Sequence, residues 1–206
     1  MRNVLCLFTR TPRSGACKTR LIPRLGAEGA CAAHKELVEG QLKRVHPVRA
    51  HKSLWVTELD GVVSDWAARF GYQANRQTGA DLGARMLAAF AHEFALGGDR
   101  IVLIGGDCPD IDARYVTQAF SALAAHDLVL GPAEDGGYGL IGLKTLQPGL
   151  FQGINWGSGE VRAKTLELAR QLHLSAFELS EIWDVDTPLD WDRYLAERRS
   201  ESDSGN

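Results

Sequence analysis

Short candidate strands alternate with longer segments of helical periodicity from one end of the chain to the other. The candidate strands are short, mostly apolar runs at positions 4–8, 54–56, 72–75, 101–104, 128–130, 139–143 and 177–179. Apolar residues recur at helical spacing between them, at positions 28–45, 62–70, 82–96, 113–125, 160–172 and from 188 onward. This alternation predicts a three-layer α/β fold with a mostly parallel sheet that helices cover on both faces.

Side chains suited to capping backbone N–H groups stand at the starts of several predicted helices. Asp81 and Asp112 each precede a segment of helical periodicity, where a short polar side chain serves as the N-cap. Thr187, Pro188 and Asp190 form another helix start, with Thr187 as N-cap and Pro188 at the first helical position. These residues predict where three of the helices begin.

Size and composition indicate a single domain. The chain has 206 residues, 45% of them hydrophobic, which is enough for one domain with a substantial core. We assign this domain to residues 1–196 and interpret the charged, Ser- and Gly-containing end, 197–206, as a flexible tail. The net charge of −3 predicts neither a nucleic-acid partner nor binding to an anionic membrane.

Cysteine usage and the lack of long apolar stretches predict a cytoplasmic protein. The four cysteines are widely spaced, with no CxxC pair and no Cys/His cluster, which argues against a zinc site or a disulfide scaffold. The first apolar run is interrupted at Arg10, too early for a signal peptide. No run approaches the ~20 apolar residues that a membrane span requires.

A basic loop, residues 9–20, follows the first candidate strand. It contains Arg10, Arg13, Lys18 and Arg20, together with a proline and a glycine. Cations gathered on such a loop suit a polyphosphate, which arginines bind as forks and a lysine binds as a point charge. The Walker pattern GxxxxGK[ST] is absent. The alternative is a solvated basic loop without a ligand.

Asp107 stands where a strand meets a glycine turn, in the stretch RIVLIGGDCPD. Ligands of open α/β sheets bind beyond the carboxyl ends of strands, and a carboxylate there suits a divalent cation that carries a phosphate. The helix start at Thr187 leaves Asp184 and Asp186 unexplained, and one of them could complete such a cation site. We favour Asp186, with Asp184 as the alternative. Asp107 could instead cap the turn that follows.

Two glycine-containing stretches are candidates for the rest of a ligand site. Gln77 and Gly79 precede a helix start, and a glutamine amide beside a glycine turn can bind the edge of a nucleobase. Glu134, Asp135 and Tyr138 lie in an acidic loop, residues 134–138, between two apolar strands. A plain hairpin would need only Asp-Gly, so we favour a substrate loop over a structural turn.

These stretches together resemble a known family, the small GT-A-type glycosyltransferases, some of which are linked to arsenosugar biosynthesis. They are similar more remotely to the nucleotidyltransferases that make molybdopterin guanine dinucleotide or guanylylate phospholactate. The resemblance covers positions 1–195. The motifs that carry it, in order, are FTRTPRSGACKTRLIPRLG, QTGADLGARM, GGDCPD, GPAEDGGYGLIGL, FQGINWGS and WDVDTPLDWDRYL.

The resemblance implies a Rossmann-like nucleotide-diphospho-sugar transferase fold and a role for each motif. It implies Mg²⁺ or Mn²⁺ as cofactor, and a nucleotide or nucleotide sugar and a small acceptor as ligands. The implied residues are Thr9, Arg10, Lys18, Arg20, Gln77 and Gly79 for the nucleotide, Asp107 and Asp186 for the metal, Asp135 and Glu134 for catalysis, and Gly137, Tyr138 and Trp156 for the acceptor.

Three functions remain open at the level of sequence. The first is a metal-dependent glycosyltransferase, in which Asp135 or Glu134 acts as base toward an acceptor hydroxyl. The second is a nucleotidyltransferase that joins GTP or CTP to a phosphorylated acceptor and releases pyrophosphate. The third is a non-catalytic protein that binds a nucleotide or a partner. The acidic loop favours the first, because a phosphorylated acceptor would prefer cations there. The oligomeric state is left open.

Overall fold

Seven strands form one sheet in a computed structural model that describes residues 1–204. The strands are β1 (Asn3–Thr9), β2 (His51–Val56), β3 (Gln73–Arg76), β4 (Arg100–Gly105), β5 (Leu128–Pro132), β6 (Tyr138–Leu143) and β7 (Ala176–Glu178). Their order is β3-β2-β1-β4-β6-β5-β7, and only β6 runs antiparallel to its neighbours. The predicted α/β fold with a mostly parallel sheet is therefore confirmed.

The central strands are buried on both faces, which explains why they are continuous apolar runs. In β1, Leu5 and Leu7 belong to one core, whereas Val4, Cys6 and Phe8 belong to the other. Successive side chains of a strand point to opposite faces of the sheet, so a strand covered on both sides needs apolar residues at every position.

Helices cover both faces of the sheet. They are α1 (Ile22–Arg44), α2 (Gly61–Phe70), α3 (Leu82–Ala95), α4 (Ala113–Ala122), α5 (Val161–Gln171) and α6 (Pro188–Ser204). The first core receives side chains from α1, α2 and α4, and the second from α3 and α5. Helix α6 instead packs on α1, through Trp191 and Tyr194. None of the helices within residues 1–204 combines the length and apolar character needed to cross a membrane.

The predicted helix caps are present. Asp81 and Asp112 accept hydrogen bonds from the N–H groups of Ala84 and Tyr115, each at 2.7 Å. At the start of α6, the carboxylate of Asp190 accepts from the backbone N–H of Thr187 at 2.6 Å. These bonds satisfy donors that a helix cannot pair internally.

Two helices are longer than the sequence pattern predicts. Helix α1 begins at Ile22 and is interrupted at Gly26, whose φ of 72° lies in the left-handed region. Helix α6 covers most of the segment interpreted as a flexible tail, and its Arg198 forms an ion pair with Glu36 of α1. The difference arises because α6 docks on α1, a contact that local periodicity does not reveal. Residues 205–206 of that segment lie outside the described residues.

A strap, residues 182–186, connects the acidic loop to the end of β4. The N–H of Ile182 donates to the carbonyl of Pro132 at 2.9 Å, and the N–H of Glu134 donates to the carbonyl of Ile182 at 3.0 Å. Farther along, the N–H of Val185 donates to the carbonyl of Asp107 at 3.0 Å. The strap therefore brings Asp184 and Asp186 to the carboxyl end of β4.

We expect Asp190→Ala to destabilise the protein by about 1–2 kcal/mol, the usual effect of losing a helix cap. The change removes the bonds from the N–H and hydroxyl of Thr187 at 2.6 and 2.7 Å. Urea unfolding would measure it, with Asp192→Ala as the matched control, because Asp192 makes only an exposed ion pair with Arg24. Equal losses in both variants would contradict the capping role.

Candidate functional site

A cleft of about 750 Å³ opens at the carboxyl ends of β1 and β4, the edge where open α/β sheets bind ligands. The basic loop, the start of α3, the acidic loop, the strap and the loop 156–158 surround it. The predicted site residues that line it are Thr9, Arg10, Lys18, Arg20, Gln77, Asp107, Asp135, Gly137, Tyr138, Trp156 and Asp186. Gly79 and Glu134 are not among its lining residues.

Lys18 and Asp107 form an ion pair at the centre of the cleft. The Nζ of Lys18 lies 2.6 Å from Oδ2 of Asp107, and the two side chains are 7% and 34% exposed. Burial alone would raise the pKa of Asp107, but the ammonium of Lys18 outweighs it and holds that pKa below its usual value. Burial would likewise lower the pKa of Lys18, but the charge of Asp107 outweighs it and raises that pKa. Both groups are therefore charged at neutral pH.

The basic loop places its other cations around this pair. Arg10 and Arg20 line the cleft, and the guanidinium of Arg20 forms an ion pair with Asp186 of the strap. Arg13 instead pairs with Glu58 and does not line the cleft. Two of the three arginines that the sequence analysis considered are thus available to a ligand in the cleft.

His34 of α1 is a site residue that the sequence analysis missed. Its side chain is 5% exposed, and its Nε2 donates to the carbonyl of Arg10 at 2.9 Å. Burial lowers the pKa of His34, so the imidazole is neutral and holds its proton on Nε2. This hydrogen bond from α1 holds the backbone of the basic loop at Arg10. No local signal identifies this role, because a lone histidine in a helix resembles a surface residue.

The amide of Gln77 is used differently from the prediction. Its Nε2 donates to the carbonyls of Thr9 at 3.0 Å and Trp55 at 2.9 Å. These bonds use both N–H donors of the amide, so only its oxygen is left to bind a ligand. Gly79 has a structural role instead, because its φ is 139° and a Cβ there would lie 2.7 Å from the backbone of Ala84.

The acidic loop and the loop 156–158 form the opposite wall. The exposed Asp135 accepts a hydrogen bond from the N–H of Gly137 at 2.8 Å and still lines the cleft. The ring of Tyr138 packs with the second core, and burial raises the pKa of its hydroxyl. Trp156 lies against α3 at Gly83, where a Cβ would collide with the indole. The wall is therefore acidic at its edge and aromatic at its base.

Glu134 does not occupy the position expected of a catalytic base. Its two carboxylate oxygens each lie 3.1 Å from Nη1 of Arg193 on α6. The guanidinium of Arg193 in turn stacks on Trp183 of the strap, 4.0 Å from the ring centroid. Glu134 thus joins the acidic loop to the strap and to α6, and Asp135 is the acid of this pair that faces the cleft.

Asp184 carries the most perturbed carboxyl group in the cleft. Burial, followed by the nearby charges of Asp107 and Asp135, raises the pKa of Asp184 to about 7. Asp184 was predicted only as an alternative to Asp186, yet both line the cleft. Negative charge therefore exceeds what Lys18 neutralises in this part of the site.

The predicted pair of metal ligands is engaged in ion pairs. Asp107 contacts Lys18, and Asp186 contacts Arg20. Within the described part of the chain, no group of three or more His, Cys, Asp or Glu side chains is arranged to hold a metal ion. Asp107 and Asp186 are thus each paired with a cationic side chain of the basic loop.

The fold and this cleft define a transferase with the nucleotide-diphospho-sugar transferase fold. A protein from Desulfovibrio desulfuricans G20, provisionally described as a nucleotide-diphospho-sugar transferase, is 33% identical, with a TM-score of 0.83 over 91% of this chain and 84% of that one. The chain belongs to the family described as "Uncharacterized protein conserved in bacteria (DUF2064)", whose model matches residues 43–158. No curated protein matches the sequence.

Two more distant structures share the fold alone. CMP:2-keto-3-deoxy-manno-octonic acid synthetase, complexed with CTP, is 15% identical, with a TM-score of 0.62 over 98% of this chain and 100% of that one. Rv0371c from Mycobacterium tuberculosis H37Rv, complexed with manganese, is 16% identical, with a TM-score of 0.55 over 95% and 99%. The predicted enzyme class, a transferase, is confirmed, whereas the finer resemblance to arsenosugar-type enzymes stays a prediction.

The raised pKa of Asp184 predicts a pH-dependent effect of Asp184→Asn. A carboxyl whose pKa rises on folding destabilises the folded state once pH exceeds its unfolded value, near 4. The variant should match the parent protein near pH 4, gain relative stability as pH rises, and level off above about 7. Urea unfolding across this range, with a chelator present, would measure the gain.

The matched control is Asp192→Asn, which changes an exposed aspartate of α6. A stability difference for Asp184→Asn that stays constant from pH 4 to pH 8.5 would show that Asp184 does not carry a raised pKa.

Proposed function

We propose that the protein is a glycosyltransferase that moves a sugar from a nucleotide-diphospho-sugar to a hydroxyl of a small acceptor. The observation that carries this proposal is that one cleft has a basic wall, with Arg10, Lys18 and Arg20, and an acidic wall, with Asp135 and Asp184. The basic wall suits a diphosphate, and the acidic wall suits neutral hydroxyl groups. The sugar would lie between them.

The basic wall would hold the diphosphate. Arg10 and Arg20 offer planar guanidinium groups that bind phosphate oxygens in pairs. Lys18 would neutralise the charge that develops on the leaving diphosphate. The opening of the exposed Arg20–Asp186 pair, 69% and 39% exposed, costs little because such pairs are weak in water. The free oxygen of Gln77 would accept a hydrogen bond from an N–H group of the base.

The acidic wall would bind and activate the acceptor. The bond between the anomeric carbon and the diphosphate oxygen breaks, and the acceptor oxygen bonds to that carbon. The acceptor's proton passes to Asp135, which must lie within ~3 Å of the attacking oxygen. The indole of Trp156 supplies an apolar surface for a sugar ring. Glu134, paired with Arg193, takes no part in this step.

A divalent cation fits this donor set when phosphates complete it. Mg²⁺ and Mn²⁺ prefer oxygen ligands, and Mg²⁺ is usually held by one or two carboxylates together with substrate phosphates. Asp107 and Asp186 would hold the cation, with Asp184 beside them. Burial, followed by the charges of Asp107 and Asp135, raises the pKa of Asp184 to about 7, and a cation would relieve the repulsion among these carboxylates. When bound, the cation supplies charge neutralisation for the leaving diphosphate.

A nucleotidyltransferase is the second candidate. It would join GTP or CTP to a phosphorylated acceptor, and its support is the fold shared with the synthetase that binds CTP. A phosphorylated acceptor would have to approach Asp135 and Asp184, whose charges repel it. This repulsion is why the glycosyltransferase ranks first.

A thermal-shift panel distinguishes the two candidates, because ligands that bind the folded protein raise its melting temperature by mass action. The panel contains nucleotide sugars, nucleoside diphosphates and nucleoside triphosphates, each with and without Mn²⁺. We expect a nucleotide sugar with Mn²⁺ to give the largest shift. A larger shift with a triphosphate would favour the nucleotidyltransferase, and no shift with any nucleotide would refute both.

We expect Asp135→Asn to keep donor affinity and to lose turnover by about 10²–10⁴-fold, the usual contribution of a general base. Release of nucleoside diphosphate from the best donor measures turnover, and the thermal shift measures affinity. Glu134→Gln is the matched control, because this neighbouring acid pairs with Arg193 and does not line the cleft. Equal loss in both variants would indicate a structural role for the loop.

A further inference from the structure

We infer that Lys18 is an internal counter-ion that competes with a divalent cation for Asp107, so that the site takes up the cation together with a polyphosphate and resists the cation alone. The inference rests on the cation site of the proposed function. The proposed function does not say whether the cation and the polyphosphate bind independently, and the inference is that each favours the binding of the other.

The ammonium of Lys18 lies where the proposed cation would bind. Nζ of Lys18 lies 2.6 Å from Oδ2 of Asp107, and the side chain of Lys18 is 7% exposed. The charges of Asp186 and Asp184 also act on this ammonium. Lys18 therefore already supplies positive charge beside Asp107 and near the carboxylates of the strap, which is the place a divalent cation would take.

The backbone shows that Lys18 is held in this place. Its φ and ψ are both 46°, in the left-handed region that residues other than glycine seldom adopt. Its carbonyl accepts from the N–H of Leu21 at 2.8 Å, and the buried thiol of Cys17 donates to the carbonyl of Arg13 at 3.3 Å. An unfavourable conformation persists only where the surroundings impose it. The backbone is thus fixed, and only the side chain is free to change partner.

The competition follows from like charges on one carboxylate. A cation bound to Asp107 would share that carboxylate with the ammonium of Lys18, and the two positive charges would repel each other in a partly buried site. A polyphosphate removes the conflict because its oxygens offer the ammonium a charge-assisted partner of their own. The cation and the polyphosphate therefore assist each other's binding.

The ion pair between Arg20 and Asp186 contributes less to this coupling between cation and polyphosphate binding. Arg20 and Asp186 are 69% and 39% exposed, so water and salt screen their interaction. The barrier to a free cation is expected to depend on Lys18, whose charge is shielded from solvent.

The test is the binding of Mn²⁺ alone, without nucleotide, followed by the electron paramagnetic resonance signal of free Mn²⁺. Lys18→Gln removes the charge and Lys18→Arg retains it. We expect Lys18→Gln to bind Mn²⁺ on the order of tenfold more tightly than the parent protein, within the usual range of coupling between sites. Lys18→Arg should bind it as weakly as the parent. The double variant Lys18→Gln with Asp107→Asn should lose the gain.

Mn²⁺ affinity in folded Lys18→Gln no higher than in the parent protein would overturn the inference and leave the cation site standing. Absence of Mn²⁺ binding in every variant, both alone and with a nucleoside diphosphate present, would overturn the cation site, and the inference with it. If Lys18→Gln does not fold, Asp184→Asn lowers the uncompensated charge. The double variant Lys18→Gln with Asp184→Asn is then compared with Asp184→Asn alone, and the same gain in affinity is required.

Discussion

The ion pair between Lys18 and Asp107 joins the two loops on which the rest of the cleft depends. The basic loop follows β1 and Asp107 follows β4, and these two strands are parallel neighbours in the middle of the sheet. Removing one member of a buried pair leaves the other charge without compensation, which is strongly destabilising. Each loop therefore constrains the other, and the pair also balances the carboxylates that the strap brings to the same place.

The antiparallel strand β6 supplies the second wall. Because β6 is antiparallel to both β4 and β5, β5 runs in the same direction as β4. The turn from β5 to β6 therefore emerges at the same edge of the sheet as the loops after β1 and β4. The strap pairs with this turn at Ile182 and then reaches the carbonyl of Asp107 through Val185. The loop after β1 thus contributes cations, whereas the acidic loop and the strap contribute acids, and this division of charge is what the proposed transfer from a diphosphate to a hydroxyl would use.

The position of a candidate site residue could be predicted where the local sequence marks it, whereas its contacts with residues distant in the chain could not. Asp107 could be placed because an apolar run and two glycines identify the end of a buried strand. Glu134 and Asp135 are adjacent acids that the local sequence does not distinguish. They differ because Arg193, distant in sequence, pairs with Glu134, whereas Asp135 lines the cleft. Gln77 lines the cleft, but the carbonyls that take its amide donors belong to two other strands, so its hydrogen bonds could not be predicted from neighbouring residues.

The amino-acid sequence by itself determined the alternation of strands and helices, the helix caps at Asp81, Asp112 and Thr187, and the set of charged loops at strand ends. These features depend on local backbone preferences and on the periodicity of burial, so neighbouring residues suffice to reveal them. Only the tertiary structure decided that Lys18 neutralises Asp107, that His34 supports the basic loop, and that burial beside other carboxylates raises the pKa of Asp184 to about 7. Those properties arise from charges and hydrogen-bonding groups far apart in the chain, and their strength depends on distances and solvent exclusion that exist only after folding.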